Sequence, residues 1–225
     1  MQKSLVIFDL YNTLIVDDSV EDRHQYRINS IWTIVEKSGF PIRFSNVIKA
    51  YKETQEIMHE YQKDYFSLSI FELVSIFAEK IQIKDVILLK KFYDIWAYAS
   101  LQLPPQLIDN VKEGLQKLKD YDKKIALISN TAMTPGIALR FFLKEQGIYD
   151  FFDDLVFSDE FGFMKPKKMI FHRILENLAI ESKHSYFVGD HELYDKFGAT
   201  SVGIEYIYMC PKTDFRKVVN ELLNL

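Results

Sequence analysis

The chain carries one cysteine, Cys210, in 225 residues. A lone thiol excludes an internal disulfide and any zinc site built from several thiolates. With no basic residue beside it in an activating pattern, Cys210 reads as a packing residue rather than a nucleophile. No apolar run approaches the roughly 20 residues that a membrane-spanning helix needs. No signal peptide precedes the first apolar block, so a cytoplasmic protein is expected. A Lys/Arg tract is also missing. The net charge is −4, which makes neither a nucleic-acid backbone nor an anionic membrane an expected partner. Nothing in the sequence sets an oligomeric state. With 48% hydrophobic and 27% charged residues, what remains is an ordinary globular chain, large enough for one or two domains.

The rest is organised around the run Leu5-Val6-Ile7-Phe8-Asp9-Leu10-Tyr11-Asn12-Thr13-Leu14. Four consecutive apolar residues, rich in β-branched and aromatic types, predict a strand buried on both faces inside a parallel sheet. Asp9 ends it, and a carboxylate at the carboxyl end of such a strand lies in the crevice where open α/β sheets bind ligands. Backbone N–H groups of the following turn suit an anion. Asn12 and Thr13 are the short polar side chains that such a turn favours.

From about Val16 to Leu101 no second block of that kind occurs. Apolar residues recur instead at helical spacing: Ile28, Ile31, Trp32 and Val35; Val47, Ala50, Tyr51 and Thr54; Phe71, Val74, Ile76 and Phe77; Leu88, Leu89, Phe92 and Trp96. Breaks fall at Gly39-Phe40-Pro41 and around Asp64 to Ser69, with Ser69 placed to cap the next helix. Residues 16–101 are therefore expected to form an inserted bundle of four helices, with its aromatics in the core. Its first polar run, Asp17 to His24, reads as a hinge and a first helical turn, in a position after the strand from which it could also touch a ligand.

Pro104-Pro105 marks the return to an α/β pattern. A helix is expected from about Leu107 to Lys119, then a strand Ile125-Ala126-Leu127-Ile128 ending in Ser129-Asn130-Thr131. A helix over about 135–146, a strand Leu155-Val156-Phe157, a loop carrying Lys165-Pro166 and a helix to about Leu178 follow. Then come Tyr186-Phe187-Val188, ending in Gly189-Asp190 with Asp195 beyond, a last strand over about 205–209 and a closing helix. The fold class is α/β: a doubly wound parallel sheet built from residues 1–15 and 102–225, with the helical insertion between.

The strand ends and the loops after them thus carry Asp9, Ser129 with Asn130, Lys165, and Asp190 with Asp195. These residue types suit group transfer through a covalent aspartyl intermediate. A carboxylate attacks, a hydroxyl and an amide position an anion, an ammonium offsets negative charge, and a further carboxylate holds a hard divalent cation. The order and spacing resemble the haloacid dehalogenase superfamily of hydrolases. Asp9 to Thr13 matches its first motif, Leu127 to Asn130 its second, Lys165-Pro166 its third, and Gly189 to Asp195 with Gly198-Ala199 its fourth. None of these runs is specific alone; all four in order carry the resemblance.

The resemblance implies a Rossmann-like core with a helical cap and a role for each matching residue. Asp9 would be the nucleophile, with Lys165 and Ser129 completing the catalytic set. Tyr11, Asn12, Thr13 and Asn130 would contact substrate. Mg²⁺ would be held by the Asp9 carboxylate, the Tyr11 carbonyl and the Asp190 carboxylate, with Asp195 holding Lys165 or metal-bound water from behind. The implied activity is hydrolysis of a small phosphorylated metabolite.

Position 11 departs from the pattern. Phosphatases of this superfamily usually carry a second aspartate there to protonate the leaving group; a phenol with an ordinary pKa of about 10 is a poor substitute. The superfamily's 2-haloacid dehalogenases carry tyrosine at that position, but they work without metal and lack the acidic residue that Asp190 matches. They also place an arginine in the cap, and here Arg23, Arg27 and Arg43 lie in that neighbourhood without a clear match. A 2-haloacid dehalogenase is therefore the alternative enzyme reading, and a non-catalytic domain that binds a ligand or partner is a third. His191 is expected to face solvent, and Lys167 and Lys168 either flank the mouth of the site or form a solvated helix start.

Overall fold

A computed structural model of the chain describes residues 4–224. In chain order the elements are β1 (Leu5–Phe8), β2 (Ile15–Val16), α1 (Val20–Lys37), α2 (Phe44–Lys63), α3 (Ile70–Lys80), α4 (Val86–Gln102), β3 (Gln106–Leu107), α5 (Val111–Asp120), β4 (Lys124–Ser129) and α6 (Gly136–Glu145). There follow β5 (Asp154–Phe157), α7 (Ser158–Phe161), α8 (Lys168–Leu178), β6 (Ser185–Gly189), a π-helical turn over Glu192–Phe197, α9 (Gly198–Thr200), β7 (Glu205–Tyr208) and α10 (Phe215–Asn224).

The main sheet has the order β5-β4-β1-β6-β7, and each of its pairings is parallel. β1 lies at its centre, every residue buried, because a strand flanked by two neighbours and covered by helices above and below has no wet face. Side chains alternate across it. Val6 and Phe8 join the α5 and α10 side, where the Phe8 and Phe215 rings lie 5.6 Å apart. Leu5 and Ile7 join the α8 side with Ile170, Phe171 and Ile174.

Helices α1 to α4 enclose a core of their own, in which Tyr51 and Phe77 pack against Trp96 at ring distances of 5.0 and 5.4 Å. Ser69 caps α3 as its sequence position implies: its hydroxyl accepts the Glu72 N–H while the Glu72 carboxylate accepts the Ser69 N–H. Asp85 caps α4 in the same manner, accepting the Leu88 N–H at 2.9 Å. The apolar stripe of α3 is Ile70, Leu73, Val74 and Phe77, so Phe71, expected inward, is 70% exposed.

The helix expected to begin at Leu107 begins at Val111 instead. Gln106 and Leu107 form β3, which pairs antiparallel with β2 and ties together the two ends of the helical insertion. Asn110, at φ 65°, makes the left-handed turn that separates this strand from α5. A second tie joins the α2–α3 loop to the loop before Lys165. Ser67 N–H donates to the Gly162 carbonyl at 3.0 Å, Met164 N–H donates to the Tyr65 carbonyl at 2.9 Å, and Lys167 Nζ lies 4.7 Å from the centre of the Phe66 ring. Lys167 thus fastens the helical layer to the sheet layer, while Lys168 is exposed.

Candidate active site

Asp9 is carried one residue past β1, where its N–H donates to the Val188 carbonyl at 2.9 Å and the residue is 6% exposed. Lys165 reaches it from the loop after α7. The Lys165 Nζ donates to Asp9 Oδ1 at 2.5 Å and to Asp195 Oδ1 at 2.6 Å, with all three side chains buried. Burial pushes the Asp9 carboxyl up to about 7 against the pull of the Lys165 ammonium. Burial disfavours the Lys165 charge in turn, but the Asp195 and Asp9 carboxylates override it and hold that ammonium above its ordinary range.

Asp195 projects from the π-helical turn, a rare geometry that recurs at functional sites. Its second oxygen accepts the N–H groups of Asp190 and His191 at 3.1 and 3.0 Å. This contact explains Gly189: a Cβ there would stand 2.4 Å from Asp195 Oδ2, so any side chain would evict the carboxylate. Asp190 is half-buried; burial and then Asp195 raise its carboxyl, while the Asn12 side chain hydrogen-bonds it and opposes that rise. Asn12 takes this position at φ 60°, a left-handed conformation that asparagine tolerates better than most residues.

One oxygen from each of Asp9, Asp190 and Asp195 falls within 4.8 Å of the others. Three carboxylates around one ammonium leave excess negative charge, the condition that a hard divalent cation with oxygen ligands relieves. Both oxygens of Asp195 are taken, by Lys165 and by two backbone N–H groups, whereas Asp9 Oδ2 meets only the Thr13 hydroxyl at 3.4 Å and Asp190 is half-buried at the cavity wall, so Asp9 and Asp190 could hold such an ion more readily than Asp195. Asp195 orients the lysine and the loop.

Asn130 clamps Lys165 through its backbone, accepting the Lys165 N–H at 2.8 Å and donating to its carbonyl at 3.1 Å. Thr13 hydroxyl donates to Asp9 Oδ2 at 3.4 Å. Asp9, Tyr11, Asn12, Asn130, Lys165, Asp190 and Asp195 thus share the wall of one cavity of about 160 Å³. Thr13 and Ser129 are fully buried beside it, and the Ser129 hydroxyl has no hydrogen-bond partner among the described residues. His191 is exposed, its Nδ1 accepting the N–H groups of Leu193 and Tyr194 at 3.2 Å each. That bond makes it a cap for the π-helical turn.

A larger cavity of about 450 Å³ adjoins the first through Tyr11, Asn12 and Asn130, and α1 supplies Arg23, His24 and Arg27 to it. Arg23 and Arg27 are 2% and 1% exposed. Arg23 is ion-paired with Asp17 and donates to the Leu103 carbonyl at 2.7 Å. Arg43 is exposed at the start of α2 and lines neither cavity. The Tyr11 phenol points among these groups; burial and then the Asp17 carboxylate push its pKa upward, so it keeps its proton at neutral pH. Sequence spacing held a signal for this wall. Residues 23, 27, 31 and 35 follow at intervals of four, and Ile31 and Val35 are core, so Arg23 and Arg27 continue the buried stripe of α1.

Residues 32–209 match the family model of the haloacid dehalogenase-like hydrolases. A glyceraldehyde 3-phosphate phosphatase of Methanothermobacter thermautotrophicus is 29% identical over 161 residues, 71% of this chain and 67% of that relative. The fold is similar to a 2-haloacid dehalogenase from Pseudomonas syringae pv. Tomato DC3000, with a TM-score of 0.64, 17% identity, and 92% of this chain and 86% of that one covered. It is also similar to the HAD-hydrolase YfnB from Bacillus subtilis bound to magnesium, with a TM-score of 0.59, 16% identity and 99% of each chain covered. Given a family match that spans most of its length and takes in Lys165 and Asp190, the chain belongs to the haloacid dehalogenase-like hydrolases.

Proposed function

We propose that this protein is a Mg²⁺-dependent phosphatase of small phosphorylated metabolites, with Asp9 as nucleophile. In this reading residues 16–101 form a cap over a catalytic core of residues 1–15 and 102–225. The observation that carries it is the cluster of Asp9, Asp190 and Asp195 around the single ammonium of Lys165. A phosphatase relative and a magnesium-bound structural neighbour support the same choice.

The Asp9 carboxylate attacks phosphorus, and the bond from phosphorus to the leaving oxygen breaks with its electron pair going to that oxygen. Water then attacks the phosphorus of the aspartyl phosphate, which releases inorganic phosphate and restores the carboxylate. Lys165 offsets the negative charge where nucleophile and phosphate meet, and Asp195 and Asn130 hold it there from its two ends. Ser129 offers its unpaired hydroxyl to a phosphate oxygen. Asp9, the Tyr11 carbonyl and Asp190 would hold Mg²⁺, which when bound favours the ionised nucleophile and neutralises charge on the phosphate.

Tyr11 keeps 2-haloacid dehalogenation as the second reading. A halide needs no proton on leaving, and a tyrosine that holds its proton offers little acid catalysis to an alkoxide. The test is a screen of phosphate esters and 2-haloacids, each with Mg²⁺ and with EDTA. Phosphate release that requires Mg²⁺ is expected. Halide release that survives exhaustive EDTA treatment would replace the phosphatase by a dehalogenase.

A further inference from the structure

Arg27 is a guanidinium buried in the helical layer without a counter-charge. Its Nε donates to the Trp96 carbonyl at 3.2 Å and its Nη2 to the Met133 carbonyl at 2.8 Å, and no carboxylate pairs with it among the described residues. Carbonyl dipoles satisfy N–H groups but do not cancel a charge, and a cation taken out of water is destabilising until an anion completes it. Arg23, one turn earlier on the same stripe, is what the completed case looks like, with Asp17 as its anion. Counting charge around the larger cavity, Asp17 cancels Arg23 and the Arg27 cation is left over. The Tyr51 hydroxyl also hydrogen-bonds the guanidinium, but it is neutral, and with five N–H donors in a planar fork Arg27 keeps donors beyond those placed on the two carbonyls and on Tyr51.

The cavity that Arg27 lines is roomy, at about 450 Å³, and shares Tyr11, Asn12 and Asn130 with the wall of the Asp9 pocket. A molecule whose phosphate sits at Asp9 and Lys165 therefore extends past Tyr11 toward Arg27. His24 stands beside that path, its Nδ1 2.7 Å from the Tyr51 hydroxyl. A neutral sugar or alcohol end would leave the Arg27 charge unanswered. An anionic end matches both the charge and the fork geometry.

We propose that this cavity is the subsite for a second anionic group of the substrate, a carboxylate or a second phosphate at the end opposite the transferred phosphate, and that Arg27 is the residue that selects it. The inference rests on the phosphatase reading of the Asp9 site.

The experiment compares three esters on one carbon chain: the monophosphates of 3-hydroxypropionate and of 1,3-propanediol, and 1,3-propanediol bisphosphate. With Mg²⁺ the wild type should favour at least one anionic-ended ester over the hydroxyl-ended one by about 10- to 100-fold in kcat/KM, the range of a hydrogen bond to a charged group. The difference should lie in KM. Which anionic ester leads tells carboxylate from phosphate. In Arg27→Gln the preference should fall to within about threefold, and in Arg27→Lys it should be partly kept. Calorimetry with two phosphonates that cannot be hydrolysed, 3-phosphonopropionate and propylphosphonate, reads the same preference without turnover. Turnover without preference, or preference undiminished in Arg27→Gln, overturns the subsite and leaves the phosphatase standing. No turnover of any ester, with 3-phosphonopropionate still bound more tightly and that margin lost in the variant, overturns the phosphatase and keeps the anion subsite. If Arg27→Gln does not fold, a wild type that binds both phosphonates equally is sufficient to discard the proposal.

Discussion

The two sides of Tyr11 are incomplete in opposite senses. On the sheet side three carboxylates surround one ammonium, and a cation is what the cluster calls for. On the helical side there are two buried guanidinium groups and one carboxylate, which pairs with Arg23 and leaves Arg27 over, and the call is for an anion. Folding alone would favour neither arrangement, because buried charge without its complement is destabilising. The difference also has an architectural cause. The acidic side is made by strand ends and the turns after them, where short polar side chains project into a crevice. The basic side is made by one helical stripe, where only a long side chain with a charged head reaches a cavity from the core face. In the proposed reading, the acidic side would take the phosphate with its metal ion and the basic side the rest of the molecule to which that phosphate is attached.

The acidic side is broken most completely at Asp9, the proposed nucleophile. Asp9→Asn should remove turnover by at least about 10³-fold while the protein remains folded, since an amide cannot attack phosphorus. Steady-state phosphate release and a thermal melt check both halves, and a variant that keeps its activity would show that the nucleophile lies elsewhere. Asp190→Ala should act on the same side by another route, abolishing both Mg²⁺ binding in calorimetry and Mg²⁺-dependent turnover. If it binds Mg²⁺ as the wild type does, the ion is held by other groups.

Tyr11 stands on the boundary, and its effect should be smaller and selective. Without a carboxylic acid at this position, alkyl phosphates lose a proton transfer typically worth about 10²- to 10⁴-fold, whereas acyl and aryl phosphates leave without it. The wild type should therefore hydrolyse acetyl phosphate and p-nitrophenyl phosphate much faster than sugar phosphates, with slow hydrolysis of the aspartyl phosphate visible as a burst. Tyr11→Asp should raise alkyl phosphate turnover selectively. Equal wild-type rates on both substrate classes would mean that another group supplies the proton, His191, which lines the Asp9 cavity, or His24 being the first to test.

The acidic side was legible in the sequence, whereas of the basic side the spacing of α1 carried only the burial of Arg23 and Arg27 and not what they meet, for a physical reason. Asp9 and Ser129 each directly follow a run of buried apolar residues, and Asp190 follows one after Gly189, so a local pattern announces a strand and the next polar residue announces its end. The parallel order of the sheet follows from strands alternating with helices. Arg27 meets the Trp96 and Met133 carbonyls, the second more than a hundred residues away, and Arg23 meets the Leu103 carbonyl, and no local spacing encodes those meetings. The π-helical turn escaped for a related reason: it is held by Asp195 and by the His191 ring, whose contacts form only once β6 has placed them. β2 and β3, of two residues each, are too short to carry any alternation.

The smallest effect compares two buried serines of the sheet side. Ser158 accepts the Thr131 N–H at 2.8 Å and shares hydrogen bonds of 3.0 Å with the Thr131 and Ser67 hydroxyls. Ser129, equally buried, has no partner among the described residues. An unpaired buried hydroxyl costs about 1–3 kcal/mol, so removing it should help the fold. Ser129→Ala should raise the stability of the ligand-free protein by about 1 kcal/mol, and Tm by about 2–4 °C. If that hydroxyl is held in reserve for a phosphate oxygen, the same variant should lose about 10-fold or more in kcat/KM, the equivalent of one hydrogen bond to a charged acceptor. Ser158→Ala should do the reverse in the melt, lowering Tm because it takes a partner from the Thr131 N–H and from the Ser67 hydroxyl, while the Thr131 hydroxyl keeps its bonds to Asp159. Stability and activity would then part company at Ser129 alone, as expected where a site keeps a polar group unsatisfied for its ligand. A Ser129→Ala protein that melts lower than the wild type would mean the hydroxyl already supports the fold, and its assignment to phosphate would lose its basis.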